Sequence, residues 1–186
     1  MADLNISIIA SSDDAEEPSA PAVPNLTSSD LDFYGGPNEH VGLRFQNATI
    51  PAGATILTAV IRFTAHNSRS PVLHPQTIYC QDVDDAPTFT TDSGNVSTRN
   101  KTNASANWQP SATTAEAQFD TANFAAALQE VIDRPGWASG QDVAVLFVGA
   151  GSEDNAADAW AFDHGSDVPQ IRITYGEVTA GYALVF

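Results

Sequence analysis

The side chains best equipped for chemistry in this chain are its clustered acids. The stretch "ASSDDAEE" sets Asp13, Asp14, Glu16 and Glu17 within five residues, with no basic residue nearby. A second group, Asp82, Asp84 and Asp85, lies in "DVDDAPTF", and a third, Glu153, Asp154 and Asp158, in "GSEDNAAD". Carboxylate oxygens at that density suit calcium, a hard cation that takes about six to eight oxygen ligands. None of the three follows the EF-hand spacing. A structural calcium would therefore join acids from separate segments, and Asp13, Asp14, Glu16, Glu17, Asp82, Asp84 and Asp85 are its candidate ligands. The plainer alternative is a solvated acidic face. No other cofactor is expected. Acid pairs that cleave bonds flank a substrate cleft, and acids at strand ends do not by themselves make one.

Other chemistries find less support. His40, His66, His74 and His164 form neither H-x-H nor H-E-x-x-H. His66 and His74 are eight positions apart across a proline-containing turn, a loose match to a zinc pair. Cys80, in "PQTIYCQDV", sits in a strand-like setting and reads as core filler. "GGPN" and "GAGSEDN" lack the lysine and the following helix of a phosphate loop. No catalytic residue is assigned, and the expectation is a protein without enzymatic activity. Among the aromatics, Trp137 should cover a sheet edge and Trp160, alternating with Phe162, should be core. Trp108 lies in a polar stretch and is the aromatic expected to be exposed and to contact a ligand or partner.

Charge narrows the partners. Acids outnumber bases 23 to 7, for a net charge of -16. Such a field repels nucleic-acid backbones and anionic membranes. The first residues, "MADLNISIIASSDD", carry no basic region and only a brief apolar run, so no signal peptide is expected. No run reaches membrane-spanning length.

The elements that must position these groups are mostly strands. Leu4, Ile6 and Ile8 alternate with polar residues. Leu31 and Phe33 share a face, as do Val41, Leu43 and Phe45 opposite Arg44. In "TILTAVIRFTAH", Leu57, Ala59, Ile61, Phe63 and Ala65 form the expected core face. "TIYCQDV" is a further strand, "DVAVLFVGAG" one buried on both faces, and "VPQIRITYG" one with Ile171, Ile173 and Tyr175 inward. Residues 84–107, rich in Thr, Asn and Ser, are expected to form surface loops. The one helix, at about 121–133, gathers Phe124, Ala127, Leu128, Val131 and Ile132 into a stripe. Asp120 or Thr121 should cap it, and Pro135 and Gly136 should end it. Arg44, Arg62 and Arg172 should pair with carboxylates on outer faces. Many short strands with one helix predict an antiparallel β-sandwich over residues 1–176, followed by an apolar tail, 177–186.

Several segments occur together in one type of domain: "SSDDAEE", "SSDLDF", "VGLRFQNATIPAGATILTAVIRFTA", "QEVIDRPGWASGQDVAVLFVGAG" and "AWAFDHGSDVPQIRITYG". Together they resemble jelly-roll modules of secreted marine bacterial hydrolases and adhesins, which also occur as stand-alone phage virion proteins. "IPAGATI" with "IRF" is similar to carbohydrate-binding-like jelly rolls of the DNRLRE type. The resemblance implies an all-β, antiparallel jelly-roll β-sandwich with a structural role. It implies a virion protein made in the host cytoplasm, a capsid decoration or cement protein that binds the major capsid protein or other virion subunits. A homo-oligomer, with a trimer favoured, is expected. Tyr182, Leu184, Val185 and Phe186 of the tail would dock on a neighbour as an added strand. The alternative is a carbohydrate-binding or adhesive module, such as a tail or fibre receptor-binding protein with a glycan ligand.

Overall fold

A computed structural model describes residues 1–36, 38–70, 74–150 and 156–176. Eleven strands and one α-helix are ordered along it: β1 (Ala2–Ser7), β2 (Asp14–Glu17), β3 (Asp30–Phe33), β4 (His40–Ala48), β5 (Thr55–Thr64), β6 (Gln76–Cys80), β7 (Ala106–Trp108), β8 (Gln118–Asp120), α1 (Ala125–Ile132), β9 (Gln141–Gly149), β10 (Ala157–Trp160) and β11 (Gln170–Gly176). All pairings are antiparallel. Three sheets result, with orders β1-β11-β5-β8, β2-β4-β9-β6-β7 and β10-β3. The domain is all-β with one helix, as the alternation of apolar residues implied.

The two larger sheets share one core. Ala59, Ile61 and Phe63 of β5 and Ile171 and Ile173 of β11 meet Leu43 and Phe45 of β4, Val145 and Phe147 of β9, and Ile78 of β6. At its centre, Phe33 packs edge-on against Phe63, Phe147 and Trp108, with ring centroids 5.1, 5.1 and 5.5 Å apart. Helix α1 lays its apolar stripe of Phe124, Ala127, Leu128, Val131 and Ile132 on the same core.

Three details depart from the alternation. Leu57 was grouped with the core face of β5, yet it is 40% exposed while Ile56 is buried. The pairing with β11 skips Leu57, because Thr174 faces Thr58 and Tyr175 faces Ile56. That bulge shifts the inward parity by one residue. The helix is shorter than 121–133 because the N–H groups of Thr121 and Phe124 donate to the β5 carbonyls of Ile61 and Ala59. Asp120 belongs to β8, and the side-chain oxygen meeting the Ala125 N–H is that of Asn123, at 3.0 Å.

Residues 84–107 are the third departure. They do run between short strands, but they are more than a surface loop. Ala86, Phe89 and Val96 are buried with Ala15, Ala144 and Leu146 in a second apolar cluster. This explains why β9 is apolar on both sides: Val143, Val145 and Phe147 face the main core, and Ala144 and Leu146 face this cover. Gly42 of β4 lies under the cover, where a Cβ would fall 2.7 Å from Phe89 Cε1. The Arg99 guanidinium sits over the Phe89 ring, 4.0 Å from its centroid, and donates to the carbonyls of Pro87, Thr88 and Asn95.

Truncating Phe89→Ala should lower the unfolding free energy by about 3 kcal/mol, the usual cost of emptying a buried aromatic site. It should also open residues 84–105 to limited proteolysis before the rest of the chain. Urea unfolding that moves by less than about 1 kcal/mol would show the cover to be dispensable.

Candidate functional site

Strand β2 distributes the first acidic cluster among three different environments. Asp13, just before it, is fully buried and accepts from Arg44 Nη1 at 2.7 Å and Gln46 Nε2 at 2.8 Å. Arg44 also pairs with Asp142, whose side chain takes the Asn47 N–H at 2.8 Å. Asp14 accepts the Phe162 N–H at 2.8 Å. Glu17 takes the N–H groups of Val96 and Ser97 at 2.8 and 2.9 Å and the Ser97 hydroxyl at 2.6 Å. Burial pushes the Glu17 carboxyl up, and these donors together with Ala22 N–H more than reverse it, holding it below its ordinary value.

The second cluster is separate. Asp82 and Asp84 pair with Arg134 beyond the end of α1. Asp85 accepts the Asp142 N–H at 2.8 Å. The two clusters thus approach one another through Arg44 and Asp142, with a guanidinium at the junction. Among the described residues, no three His, Cys, Asp or Glu side chains converge as a metal cage would require. The calcium set Asp13, Asp14, Glu16, Glu17, Asp82, Asp84 and Asp85 is therefore not assembled, because each side chain is directed to its own separate donor instead. Of the third cluster, Asp158 is buried against Arg69 Nη2 and Asn67 Nδ2, both at 2.6 Å, and Glu153 and Asp154 lie outside the described residues.

The aromatics also fall differently from expectation. Trp108 is 5% exposed. The register pairs it with Gln76 and turns its ring inward, where it stacks on Phe63. It is a core residue and not an exposed contact; only its sequence neighbours are polar and outward. Trp137 is buried, with its indole N–H on the Ile50 carbonyl at 3.0 Å. Trp160 is only half-buried, stacked on His164 with a centroid 3.7 Å away and meeting the tilted His66 ring at 4.0 Å. Cys80 is core filler, and burial pushes its thiol far up. Tyr182, Leu184, Val185 and Phe186 lie outside the described residues.

A cleft does form where β2, β3 and β4 meet Tyr34, Glu39 and the start of β6. It holds about 140 Å³ and is lined by Glu16, Asp32, Tyr34, Glu39, His40 and Gln76, with Phe33, Val41 and Pro18 as apolar walls. Register builds it. In β2, Glu16 points away from Glu17 toward β3, and its Oε1 accepts the Asp32 N–H at 2.6 Å. In β3, Leu31 and Phe33 go to the core, so Asp32 faces the cleft and receives the Tyr34 hydroxyl at 3.0 Å. The Gln76 amide nitrogen donates to the carbonyls of Phe33 and Tyr34 at 3.2 and 2.7 Å. His40, 9% exposed, carries a buried Nδ1 without a hydrogen-bond partner.

Electrostatics mark the cleft as short of cations. Burial pushes Glu16 up to about 7, and the nearby charges of Asp32 and Asp30 add to it. Burial likewise raises Asp32, with Asp30 and Asp158 contributing. The Asp32 charge, followed by burial, lifts the Tyr34 phenol to about 12. Burial lowers His40, so its ring is neutral near pH 7. Sequence reasoning marked Glu16 but missed Asp32, Tyr34, His40 as a cleft residue, and Gln76. The available signal was the alternation of "DLDF", which sends Asp32 opposite two core residues.

No protein-family model matches the chain, and no curated protein matches it. Fold and site together define an all-β antiparallel domain with one helix and an acid-lined cleft.

Two outcomes follow. Burial raises Asp14 from 3.8 to about 7. A carboxyl whose folded value is raised contributes most below its unfolded value, and that contribution is lost as pH rises from about 4 to about 7. Asp14→Asn still accepts the Phe162 N–H and does not ionise. Its Tm relative to the native chain should therefore be several degrees more favourable at pH 8 than at pH 5; an equal difference at both pH values refutes the assignment. Arg44→Leu removes the cation from buried Asp13, leaving only neutral donors such as Gln46, and should cost about 3–5 kcal/mol in urea unfolding. Adding Asp13→Asn should recover part of that loss, and no recovery would show that Arg44 acts by packing alone.

Proposed function

We propose that the chain is a non-enzymatic structural protein of a phage virion, a capsid decoration or cement protein that binds the outer capsid and neighbouring copies. The observation that carries this reading is strand order. Counting β1, β4, β5, β6, β7, β8, β9 and β11 as strands one to eight, one sheet runs one-eight-three-six and the other two-seven-four-five. This order supports a reading as the two Greek keys of a jelly roll. Strands β2, β3 and β10 are additions, and β2 extends one sheet edge. The order supports the resemblance to stand-alone virion jelly rolls, with residues 1–176 as the domain.

The local chemistry fits a structural role. Asp13, Asp14, Glu17, Asp82, Asp84, Asp85 and Asp158 serve arginines and backbone N–H groups that hold the fold. Among the described residues, strand β1 is a sheet edge paired on one side only, by β11. A strand from another copy would extend that sheet through main-chain hydrogen bonds. The apolar residues 177–186 are the segment of this sequence suited to supply it.

Sedimentation velocity tests the reading. The full chain should sediment as a discrete oligomer, with a trimer expected. A chain ending at residue 176 should keep the same circular dichroism and sediment as a monomer. A monomeric full chain overturns the assembly reading, and binding to a glycan panel in its place would favour a receptor-binding module.

A further inference from the structure

The cleft has an unusual donor balance. Tyr34 spends its hydroxyl proton on Asp32. Gln76 faces two carbonyls, which requires its NH2 on that side and leaves Oε1 as an acceptor. Glu16 takes the Asp32 N–H and a Ser28 side-chain hydrogen bond, Asp32 takes the Tyr34 hydroxyl, and both carboxyls keep further lone pairs. The buried Nδ1 of His40 meets no partner within the chain's described residues. Asn25 is the exception, since its Oδ1 takes the Thr27 N–H and its NH2 remains a donor. The walls are otherwise acceptors around an apolar floor of Phe33 and Val41.

No cation of the chain answers them. All seven basic side chains lie outside the lining. Arg69, the one nearest in effect on Asp32, is bonded to Asp158. Lys101, whose charge reaches His40 and Glu17, donates to the Ser97 carbonyl at 2.8 Å. A buried polar group left unmatched costs about 1–3 kcal/mol, so the arrangement favours a guest that brings donors and positive charge. Size restricts that guest further. A cavity of about 150 Å³ holds one benzene, whereas pockets for drug-sized ligands run from about 300 to 1,000 Å³. At about 140 Å³ the cleft matches the size of one side chain. A cationic head on an aliphatic stem matches both the acceptors and the apolar floor.

We propose that the Glu16–Asp32–Tyr34–His40–Gln76 cleft is a socket for one lysine or arginine side chain presented by a partner protein. This deepens the assembly reading by naming the chemistry of the contact, and it relies on that reading for the source of the side chain. Association would be steered by the net charge of -16 and fixed by this one insertion.

The test uses the full chain and short probes. Amide and side-chain NMR shifts are followed while acetyl-Gly-Lys-Gly-amide, its arginine counterpart and its norleucine counterpart are titrated in turn. The lysine or arginine peptide should shift the Gln76 side-chain NH2, the Tyr34 and His40 rings and the Asp32 amide, and the norleucine peptide should not. Asp32→Asn and Glu16→Gln should each weaken binding about tenfold, as expected for loss of a charge-assisted hydrogen bond. Retained amide dispersion checks that both variants fold. Equal response to norleucine, a response to calcium chloride or N-acetylglucosamine at lower concentration, or no response to either basic peptide overturns the socket. The two readings fail separately. An oligomer that ignores the basic peptides sinks the socket alone, and a monomer that binds them sinks self-assembly alone.

Discussion

Arg44 projects from the middle of β4 on the side away from the main core and is bonded to three segments at once. It holds Asp13 at 2.7 Å, pairs with Asp142 of β9, and donates from Nε to the Ala86 carbonyl at 2.8 Å. Asp142 in turn directs its N–H to Asp85. The approach to β2, the strand pair β4–β9 and the start of the 84–107 cover are thereby fastened to one guanidinium. Burying a charge is costly unless a partner of opposite charge and further hydrogen bonds accompany it. Arg44 meets that condition for Asp13, and through the Ala86 carbonyl it also ties down one member of the second apolar cluster.

The same constraint acts throughout a chain with 23 acids and 7 bases. Arg62 serves Asp120, Arg69 serves Asp158, and Arg134 serves Asp82 and Asp84. Arg99 meets no carboxylate among the described residues and instead ties down the carbonyls of the cover above Phe89. Where no cation remains, backbone N–H groups substitute, as at Glu17 and Asp14. Glu16 and Asp32 lie where both supplies run short, and their raised proton affinity is the electrostatic consequence. The cleft and the scaffold thus share one cause, an excess of carboxylates distributed over a limited set of donors.

Much of the scaffold was legible from alternation. The inward sets of β3, β4 and β11, the stripe of α1 and the two-sided burial of β9 all follow from side-chain period. The bulge at Leu57 was not legible, because it arises from pairing with β11 and leaves no local mark in "TILTAV". Trp108 misled for a related reason: its neighbours are polar, but β7 turns it toward Phe63. The 84–107 segment looks polar because its few apolar residues, Ala86, Phe89 and Val96, are widely spaced and share no period, yet they are the ones that pack. For the site, the acids were visible as a cluster and misleading as a unit. Neighbours on β2 point to opposite faces, so Glu16 and Glu17 have unrelated partners.

By itself the sequence determined the secondary structure class, the faces that turn inward and the surplus of negative charge, since each depends on residue type and short-range period. Only the tertiary structure decided which donor meets which acid and where a cleft is left with acceptors alone. Arg44 finds Asp13 and Asp142 at separations of 31 and 98 positions, and Glu16 finds the Asp32 N–H 16 positions away. Hydrogen bonds and ion pairs depend on distance in space, and no local pattern in the chain encodes those meetings.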